Sequence, residues 1–319
     1  MKPILKIQLP PTHVKLEFTE GCNLYCDFCP IHSIRKQPGN LKFMTEATFN
    51  VIIEQLTITG WTNKIECTGH GEPLLNKNHV KYFRKLRQAF PKSYIFTTSN
   101  GGPLLKDPTK RIDRILKYVN VIALDNYEHS GFVPKILKKY KGKYKVFVYP
   151  EMPTYTKPST KDHYVVVYPD ISKAQIKERC LSNTACNAGP PNYKYAKKTC
   201  HRPFRELNIA NDGMVLLCCY DWVHEHAIVN IHDMPLENIW QHRKFKAARR
   251  ILHHEGRNFT ICYGCDNRLY RIGLLPDRMG KFTLHKPSFL DWKTIDRIEV
   301  KIKNERRQSN GIRDFYSKL

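Results

Sequence analysis

The chain has 319 residues, and its 53 Lys and Arg against 29 Asp and Glu give a formal net charge of +24. This length suits one large α/β domain or two smaller ones, and it allows a sizeable core without disulfide bonds. A hydrophobic content of 41% excludes a chain disordered by composition, and the lack of a long uncharged apolar run excludes a membrane-spanning helix. A signal peptide has a continuous apolar stretch, whereas lysines and prolines interrupt the first 18 residues of this chain. We therefore expect a cytoplasmic protein.

The sequence contains eleven cysteines, several of them separated by only two or three residues. A secreted disulfide scaffold would be much shorter and denser in cysteine. Clustered thiols in a reducing cytosol instead indicate metal ligands.

In the first half of the chain, short strand-like runs alternate with helical patterns. Apolar and charged residues alternate over 14–18, which predicts a strand, and helical spacing behind the predicted N-cap Thr45 predicts a helix. Further strands are predicted at 64–69, 94–98, 119–124, 144–149 and 164–168, with helices at 78–90, 106–118 and 133–141. Six strands with helical crossovers predict an α/β fold whose parallel sheet forms an open, partial (β/α)6 TIM-like barrel.

The pattern changes at about residue 152, where prolines interrupt the chain and only 172–179 favours a helix. Positive charge is concentrated here, since residues 130–204 hold 15 Lys and Arg against 4 Asp and Glu. A smaller α+β module follows. Strand-like residues at 207–209 and 215–217 flank the turn Asn211-Asp212-Gly213, which predicts a hairpin, and a helix is predicted over 236–254.

Residues 21–30, directly after the first strand, read GCNLYCDFCP. Three thiolates at this spacing can hold three corners of a [4Fe–4S] cubane, and the fourth iron then stays open to an exogenous ligand. The alternative is a zinc knuckle or a group of redox thiols. Zinc sites usually pair one C-x2-C with a second distant pair, which these gaps fit poorly.

This CxxxCxxC motif, with an aromatic residue before its third cysteine, resembles the radical S-adenosylmethionine (SAM) superfamily. The resemblance implies an enzyme in which Cys22, Cys26 and Cys29 bind the cluster, SAM chelates the open iron, and Phe28 lies near the adenine. It also implies reductive cleavage of SAM to a 5′-deoxyadenosyl radical that abstracts hydrogen from the substrate, with an electron donor such as flavodoxin or ferredoxin.

Later turns extend the resemblance. Residues 69–73, GHGEP, are similar to the glycine–glutamate turn of the family, which implies that Gly71, Glu72 and Pro73 receive the methionine amino group. The resemblance also makes Ser99, Asn100 and Asp125 candidate SAM ligands. Each of these positions is alternatively an ordinary turn or cap. The carboxyl ends of successive parallel strands converge on one mouth of a barrel, so these separate turns can surround one ligand.

A second set of cysteines, within about 200–268, resembles the SPASM/twitch extension of radical SAM enzymes. The resemblance implies one auxiliary [4Fe–4S] cluster, and the ligands carried over are Cys200, Cys218, Cys262 and Cys265. Cys219 competes with Cys218, because neighbouring strand residues face opposite sides. A four-cysteine zinc site is the alternative, and Cys180 and Cys186 have no assigned role.

These motifs divide the chain into four parts: the barrel core (1–150), a basic connection that completes the barrel (151–199), the auxiliary-cluster domain (200–268) and a basic C-terminal extension (269–319). Lysines interleaved with tyrosines at 138–145 and 193–198, together with the basic extension, are typical of nucleic-acid binding. We therefore expect modification or rearrangement of a base or base substituent in DNA or RNA, without membrane binding. The alternatives are a peptide maturase that recruits an acidic leader and a non-enzymatic, metal-stapled nucleic-acid-binding protein.

Overall fold

The computed structural model describes residues 11–26, 28–29, 31, 40–149, 162–168, 200, 202–254, 256–257, 262 and 264–265. The strands are β1 (His13–Leu16), β2 (Thr19–Glu20), β3 (Lys42–Phe43), β4 (Lys64–Glu66), β5 (Ile95–Ser99), β6 (Val121–Asp125), β7 (Lys145–Val148), β8 (Tyr164–Tyr168), β9 (Glu206–Ile209), β10 (Met214–Leu216) and β11 (Ala227–Asn230). The helices are α1 (Glu46–Ile58), α2 (His79–Ala89), α3 (Pro108–Leu116), α4 (Phe132–Lys139), α5 (Leu236–Trp240) and α6 (Arg243–His254).

Nine strands form one open sheet in the order β11-β10-β9-β1-β4-β5-β6-β8-β7, and β2 pairs with β3 separately. The strands from β9 to β7 in this order pair in parallel, whereas β10 and β11 pair antiparallel. The predicted α/β fold with a partial parallel barrel is confirmed. The sequence analysis did not predict one feature of the strand order: β8 lies between β6 and β7. Four of the five β8 residues are buried, whereas Val146 and Val148 of β7 are exposed, so the more apolar strand takes the inner position.

Most of the predicted elements appear near their predicted positions. Thr45 caps α1 as expected, because its hydroxyl accepts a hydrogen bond from the backbone N–H of Thr48 at 3.1 Å. The single helix predicted over 236–254 is wrong, because the chain forms α5 and α6 instead. The break is local: the His242 ring accepts a hydrogen bond from the backbone N–H of Lys244 and so begins α6. The predicted helix at 172–179, Cys180, Cys186 and the extension 269–319 lie outside the described residues.

The two faces of the sheet bury different kinds of side chain. On one face, helices α1 and α2 cover β1 with a cluster of aromatic rings, in which Phe49 stacks on Tyr82 at 4.0 Å between ring centroids and Phe18 contacts both rings. The other face carries charged groups at β1 and β4. There the Lys15 ammonium lies 2.9 Å from Glu66 Oε1, and the His13 ring lies 3.0 Å from Glu66 Oε2.

The buried ion pair with Lys15 keeps Glu66 charged. Burial opposes ionisation, yet the ammonium of Lys15 and the hydrogen bond from His13 hold the pKa of the Glu66 carboxyl well below its usual range. None of the helices in the described part of the chain has the length and apolar character that crossing a lipid bilayer requires.

Candidate active site and auxiliary cysteine site

The loops that follow β1 and β4 pack backbone against backbone at the mouth of the barrel. The N–H of Gly21 donates to the carbonyl of His70 at 3.1 Å, and the N–H of Glu72 donates to the carbonyl of Gly21 at 2.9 Å. A Cβ atom at Gly71 would lie 2.2 Å from the Gly21 oxygen and 2.5 Å from the Thr19 oxygen. Glycine at 71 therefore allows the two loops to approach each other.

Glu72 is a buried carboxylate with only 2% exposure, and it joins the loop after β4 to the loop after β5. Its Oε1 accepts from the N–H of Leu74 at 3.1 Å, and its Oε2 accepts from the N–H of Asn100 at 2.7 Å. Burial raises the pKa of Glu72 to about 7, although these hydrogen bonds and one from Ser99 act in the opposite direction. Each carboxylate oxygen has a second lone pair, so Glu72 can accept a further donor from a ligand in the mouth.

Asn100 links this pair of loops to the cysteine loop. Its side-chain N–H groups donate to Asn23 Oδ1 at 2.9 Å and to Cys22 Sγ at 3.3 Å. The structure therefore brings together three turns that are spread over almost 80 positions of the chain: the cysteine loop, the turn at 69–73 and the turn at 99–101.

Cys22, Cys26 and Cys29 are free thiols on one short loop, in which the N–H of Cys29 donates to the carbonyl of Cys26 at 2.9 Å. The N–H of Leu24 and the amide of Asn100 both donate toward Cys22 Sγ, as they would to a thiolate. Burial raises the pKa of Cys22 to about 12 and that of Cys29 to about 11. Buried thiols of this kind ionise when a metal binds them, so the loop fits an iron–sulfur cluster.

Aromatic side chains form the wall beside the cysteine loop. The ring of Phe28 lies 5.4 Å from that of Tyr127, and His129 Nε2 lies 3.5 Å from Cys26 Sγ. The Tyr127 hydroxyl donates to Asp125 Oδ2 at 3.4 Å, so Asp125 reaches the same wall. The sequence analysis missed Tyr127 and His129. Their position two and four residues beyond β6, at the mouth of the barrel, is the signal that could have found them.

The auxiliary cysteines of the described part of the chain come from three places: one precedes β9, two follow β10 and two follow α6. They are Cys200, Cys218, Cys219, Cys262 and Cys265, all free thiols. Two buried arginines accompany them. Arg202 donates to Cys219 Sγ at 3.3 Å, and the fully buried Arg257 donates to the carbonyl of Cys265. Arg202 is also paired with the Glu206 carboxylate at 2.8 Å. An iron–sulfur cluster held by four thiolates is an anion, so the buried guanidinium of Arg257 fits such a cluster.

Cys218 and Cys219 do not lie in a strand, so they do not face opposite sides as the sequence pattern predicts. β10 ends at Leu216, so both cysteines lie in the following turn, where alternation between the faces of a strand is lost. The two side chains hydrogen-bond to each other, which together with Arg202 lowers the pKa of the Cys219 thiol. The assignment of Cys218 as the ligand stays a prediction.

A small cavity lies between the barrel mouth and the auxiliary module. Its wall comes from β1, β9, the loop after β4 and the turn after β10, and it includes Lys15, Glu17, Thr68, His70, Asn208 and Cys219. The Asn208 side chain is 3% exposed, and neither its nitrogen nor its oxygen has a hydrogen-bond partner among the described residues. A buried amide of this kind is costly unless a ligand or water satisfies it.

Comparisons with known proteins agree with this geometry. The Radical SAM superfamily matches residues 16–146, and the SPASM iron–sulfur cluster-binding domain matches residues 200–266. The S-adenosyl-L-methionine-dependent 2-deoxy-scyllo-inosamine dehydrogenase of Niallia circulans is 26% identical over 259 residues, which are 80% of this chain and 92% of that relative.

Two further similarities are more limited. The crystal structure of BtrN in complex with AdoMet and 2-DOIA superimposes with a TM-score of 0.60 at 20% identity, covering 81% of this chain and 94% of BtrN. The GTP 3′,8-cyclase of Pasteurella multocida is 24% identical over 120 residues, which are 38% of this chain and 35% of that relative.

The two family matches together cover more than half of the chain. They imply a [4Fe–4S] cluster with SAM at the barrel and auxiliary iron–sulfur binding in the SPASM domain. The cysteine loop, the glycine-dependent packing at its side and the arginine-lined second cysteine site fit these cofactors. The chain therefore belongs to the radical SAM superfamily of enzymes and carries a C-terminal SPASM domain.

Proposed function

We propose that this enzyme is a radical SAM dehydrogenase that oxidises a small polar molecule bound between the barrel mouth and the SPASM module. The observation that carries the proposal is the relative from Niallia circulans, a dehydrogenase by name, which aligns over 92% of its own length and therefore across both modules. The cavity between those modules supports it, because the buried Asn208 amide in its largely apolar wall has no partner among the described residues and suits a hydroxyl- or amine-bearing ligand.

In this proposal, Cys22, Cys26 and Cys29 hold the catalytic cluster. Gly71, Glu72, Pro73, Ser99, Asn100 and Asp125 hold SAM, and Phe28 contacts its adenine. When bound, the cluster and SAM supply the radical that removes a hydrogen atom from the substrate, and the auxiliary cluster supplies an acceptor for the remaining electron.

The protein's own groups position the substrate and exclude water. Asn208 offers an amide donor and acceptor, and Lys15 and Thr68 line the same cavity with polar groups. A substrate with hydroxyl groups on adjacent carbons matches such a wall, because each hydroxyl both donates and accepts. A flavodoxin or ferredoxin in the cytoplasm is the reductant that we propose.

The experiment is anaerobic reconstitution followed by turnover. We expect about eight irons per chain, as two [4Fe–4S] clusters require, and 5′-deoxyadenosine that forms only with a reductant. A panel of amino- and polyhydroxylated cyclic compounds should yield one carbonyl product, trapped with hydroxylamine, for each 5′-deoxyadenosine. SAM cleavage without any oxidised product from this panel would overturn the proposed reaction. So would transfer of deuterium from a labelled peptide to 5′-deoxyadenosine, because it would make the peptide the substrate.

The charge of the chain favours a second candidate, modification of a base in nucleic acid. The net charge of +24 and the Lys–Tyr runs at 138–145 and 193–198 carry this candidate, and the relatives above give it no support. Binding of DNA and RNA oligonucleotides should then weaken steeply as salt rises, because phosphate contacts release counterions. A shallow salt dependence would remove this candidate, and tighter binding of an acidic peptide would favour the peptide maturase instead.

A further inference from the structure

We propose that Glu17, His70 and His224 form a mononuclear site for a divalent cation of the zinc or ferrous class, between the radical SAM core and the SPASM module. Glu17 follows β1, His70 lies in the loop after β4, and His224 lies in the loop between β10 and β11. One potential ligand atom from each residue lies within 4.8 Å of the other two. The proposed function does not require this site, because SAM cleavage uses the cysteine loop.

The separation of the two ring nitrogens matches that of two ligands on a tetrahedral ion. His70 Nδ1 lies 3.3 Å from His224 Nε2 and 3.6 Å from Glu17 Oε1. Two nitrogen atoms bound to one ion at about 2.0–2.1 Å in tetrahedral geometry are about 3.3–3.4 Å apart. The nitrogen pair therefore already has the separation of two ligands.

The protonation of His70 favours metal binding through Nδ1. Its Nε2 lies 2.7 Å from the carbonyl oxygen of Cys219. A carbonyl oxygen only accepts hydrogen bonds, so Nε2 carries a hydrogen, and the neutral ring presents a lone pair at Nδ1. A metal-bound histidine commonly donates its other N–H to a backbone carbonyl in this way, which fixes the orientation of the ring.

Glu17 and His224 are held toward the same point. Glu17 Oε2 accepts from the N–H of Asn211 at 3.3 Å, and Oε1 accepts from the N–H of His70 at 2.6 Å. His224 has a positive φ of 59°, a conformation that is uncommon for a residue other than glycine. A buried carboxylate facing two ring nitrogens is stabilised by a cation between them.

The cavity supplies the fourth position of the site. Glu17 and His70 line it together with Asn208, whose buried amide lacks a partner among the described residues. Three protein ligands and one open position are typical of catalytic zinc sites, whereas structural sites are closed by four protein ligands. The open position would take water or a hydroxyl or amine group of a bound molecule, which Asn208 could contact.

The experiment uses the anaerobically reconstituted enzyme, with Zn²⁺ as the probe. After passage over a chelating resin, we expect one zinc per chain beside about eight irons by elemental analysis. The zinc K-edge absorption spectrum should show only nitrogen and oxygen ligands at about 2.0–2.1 Å. Sulfur ligands would mean that zinc occupies the cluster cysteines, and that result overturns the proposal, as does a zinc content at background level.

Variants test which residues bind the ion. His224→Ala should weaken zinc binding by at least about 100-fold while the iron content stays unchanged. Glu17→Gln should also weaken zinc binding, although both histidine ligands remain. His232→Ala, an exposed histidine near the same hairpin, is the matched control and should retain zinc. Zinc retention in both site variants would overturn the assignment. The proposed function has a separate test: if no oxidised product forms together with 5′-deoxyadenosine, the dehydrogenase proposal fails whatever the zinc content is.

Discussion

Asn100 connects three turns of the barrel mouth through its backbone and its side chain. The backbone N–H binds Glu72, and the side-chain amide binds Asn23 and Cys22. The residue therefore couples the position of the proposed SAM ligand Glu72 to the position of a proposed cluster ligand. A change at Asn100 is therefore expected to affect both proposed ligands.

We expect Asn100→Ala to weaken SAM binding by about tenfold, because it removes three side-chain hydrogen bonds that hold the loops of the mouth together while it keeps the backbone contact to Glu72. The measurement is SAM affinity from the change in the EPR spectrum of the reduced cluster. Asn50→Ala, at an exposed position on α1, is the control and should leave the affinity unchanged. Unchanged affinity in the Asn100 variant would show that the mouth does not depend on this amide.

The second residue-scale prediction concerns the adjacent cysteines after β10. Cys218→Ala should lower the iron content from about eight to about four per chain, because the auxiliary cluster loses a ligand. Cys219→Ala should retain both clusters, since we assign Cys219 to the cavity wall and to the contact with Arg202. The reverse pattern of iron contents would make Cys219 the ligand.

At the scale of elements, register decides which charges meet. β1 and β4 pair so that Lys15 lies opposite Glu66, and their side chains form the buried ion pair on the interior face. A shift of either strand by one residue would turn its charged side chain toward the aromatic core under the helices and separate the pair. The pair therefore specifies this register in addition to any contribution to stability.

Glu66→Gln should destabilise the protein by about 3–5 kcal/mol, because it leaves the Lys15 ammonium buried without its partner. The pKa of Glu66 is lowered in the folded state, so its contribution to stability is present above the ordinary carboxyl pKa of 4.5 and is lost as the pH falls below that value. Urea unfolding between pH 7 and pH 2 measures both effects. The exposed control Glu54→Gln should change neither the stability nor its pH dependence.

The loop contact at Gly71 gives a second prediction at this scale. Gly71→Ala should cost about 3 kcal/mol and reduce SAM binding, because the new Cβ would meet backbone oxygens that have no room to move. Gly60→Ala is a useful comparison. It has no atom within 4 Å of the added Cβ and adds only the strain of a positive φ, about 1 kcal/mol. Equal effects of the two substitutions would show that the loops do not pack as described.

The sequence predicted what depends on local patterns. The strands, the cap at Thr45 and the cysteine loop were all visible, because alternation, capping and spacing act over a few residues. Contacts between distant positions were not visible. Glu17 and His224 are more than 200 positions apart and meet only because β9 pairs with β1, and no local pattern specifies that pairing. The turn at Cys218 and Cys219 was missed for a related reason, since the end of β10 depends on its pairing with β11.

For the whole molecule, the important feature is that the SPASM module continues the sheet of the radical SAM core. β9 pairs in parallel with β1 along four residues, and Gln55 of α1 bonds to backbone groups of Ile231 and Leu236. β1 is consequently an inner strand with neighbours on both sides. The predicted core of 1–150, connection of 151–199 and auxiliary domain of 200–268 stay a prediction, and we propose that they are functional modules that fold together.

A truncated chain tests this proposal. Residues 1–199 alone should fail to form a soluble, cooperatively folded protein, because removal of β9 exposes one edge of β1 and uncovers apolar side chains that pack against Leu207 and Ile209. Residues 1–268, which keep the whole SPASM match, should fold and bind both clusters. Urea unfolding followed by circular dichroism should show one transition for the full chain. A stable fragment 1–199 with its own transition would establish two independent folding units, and the contacts of β9 and Gln55 would then be a docking interface between them.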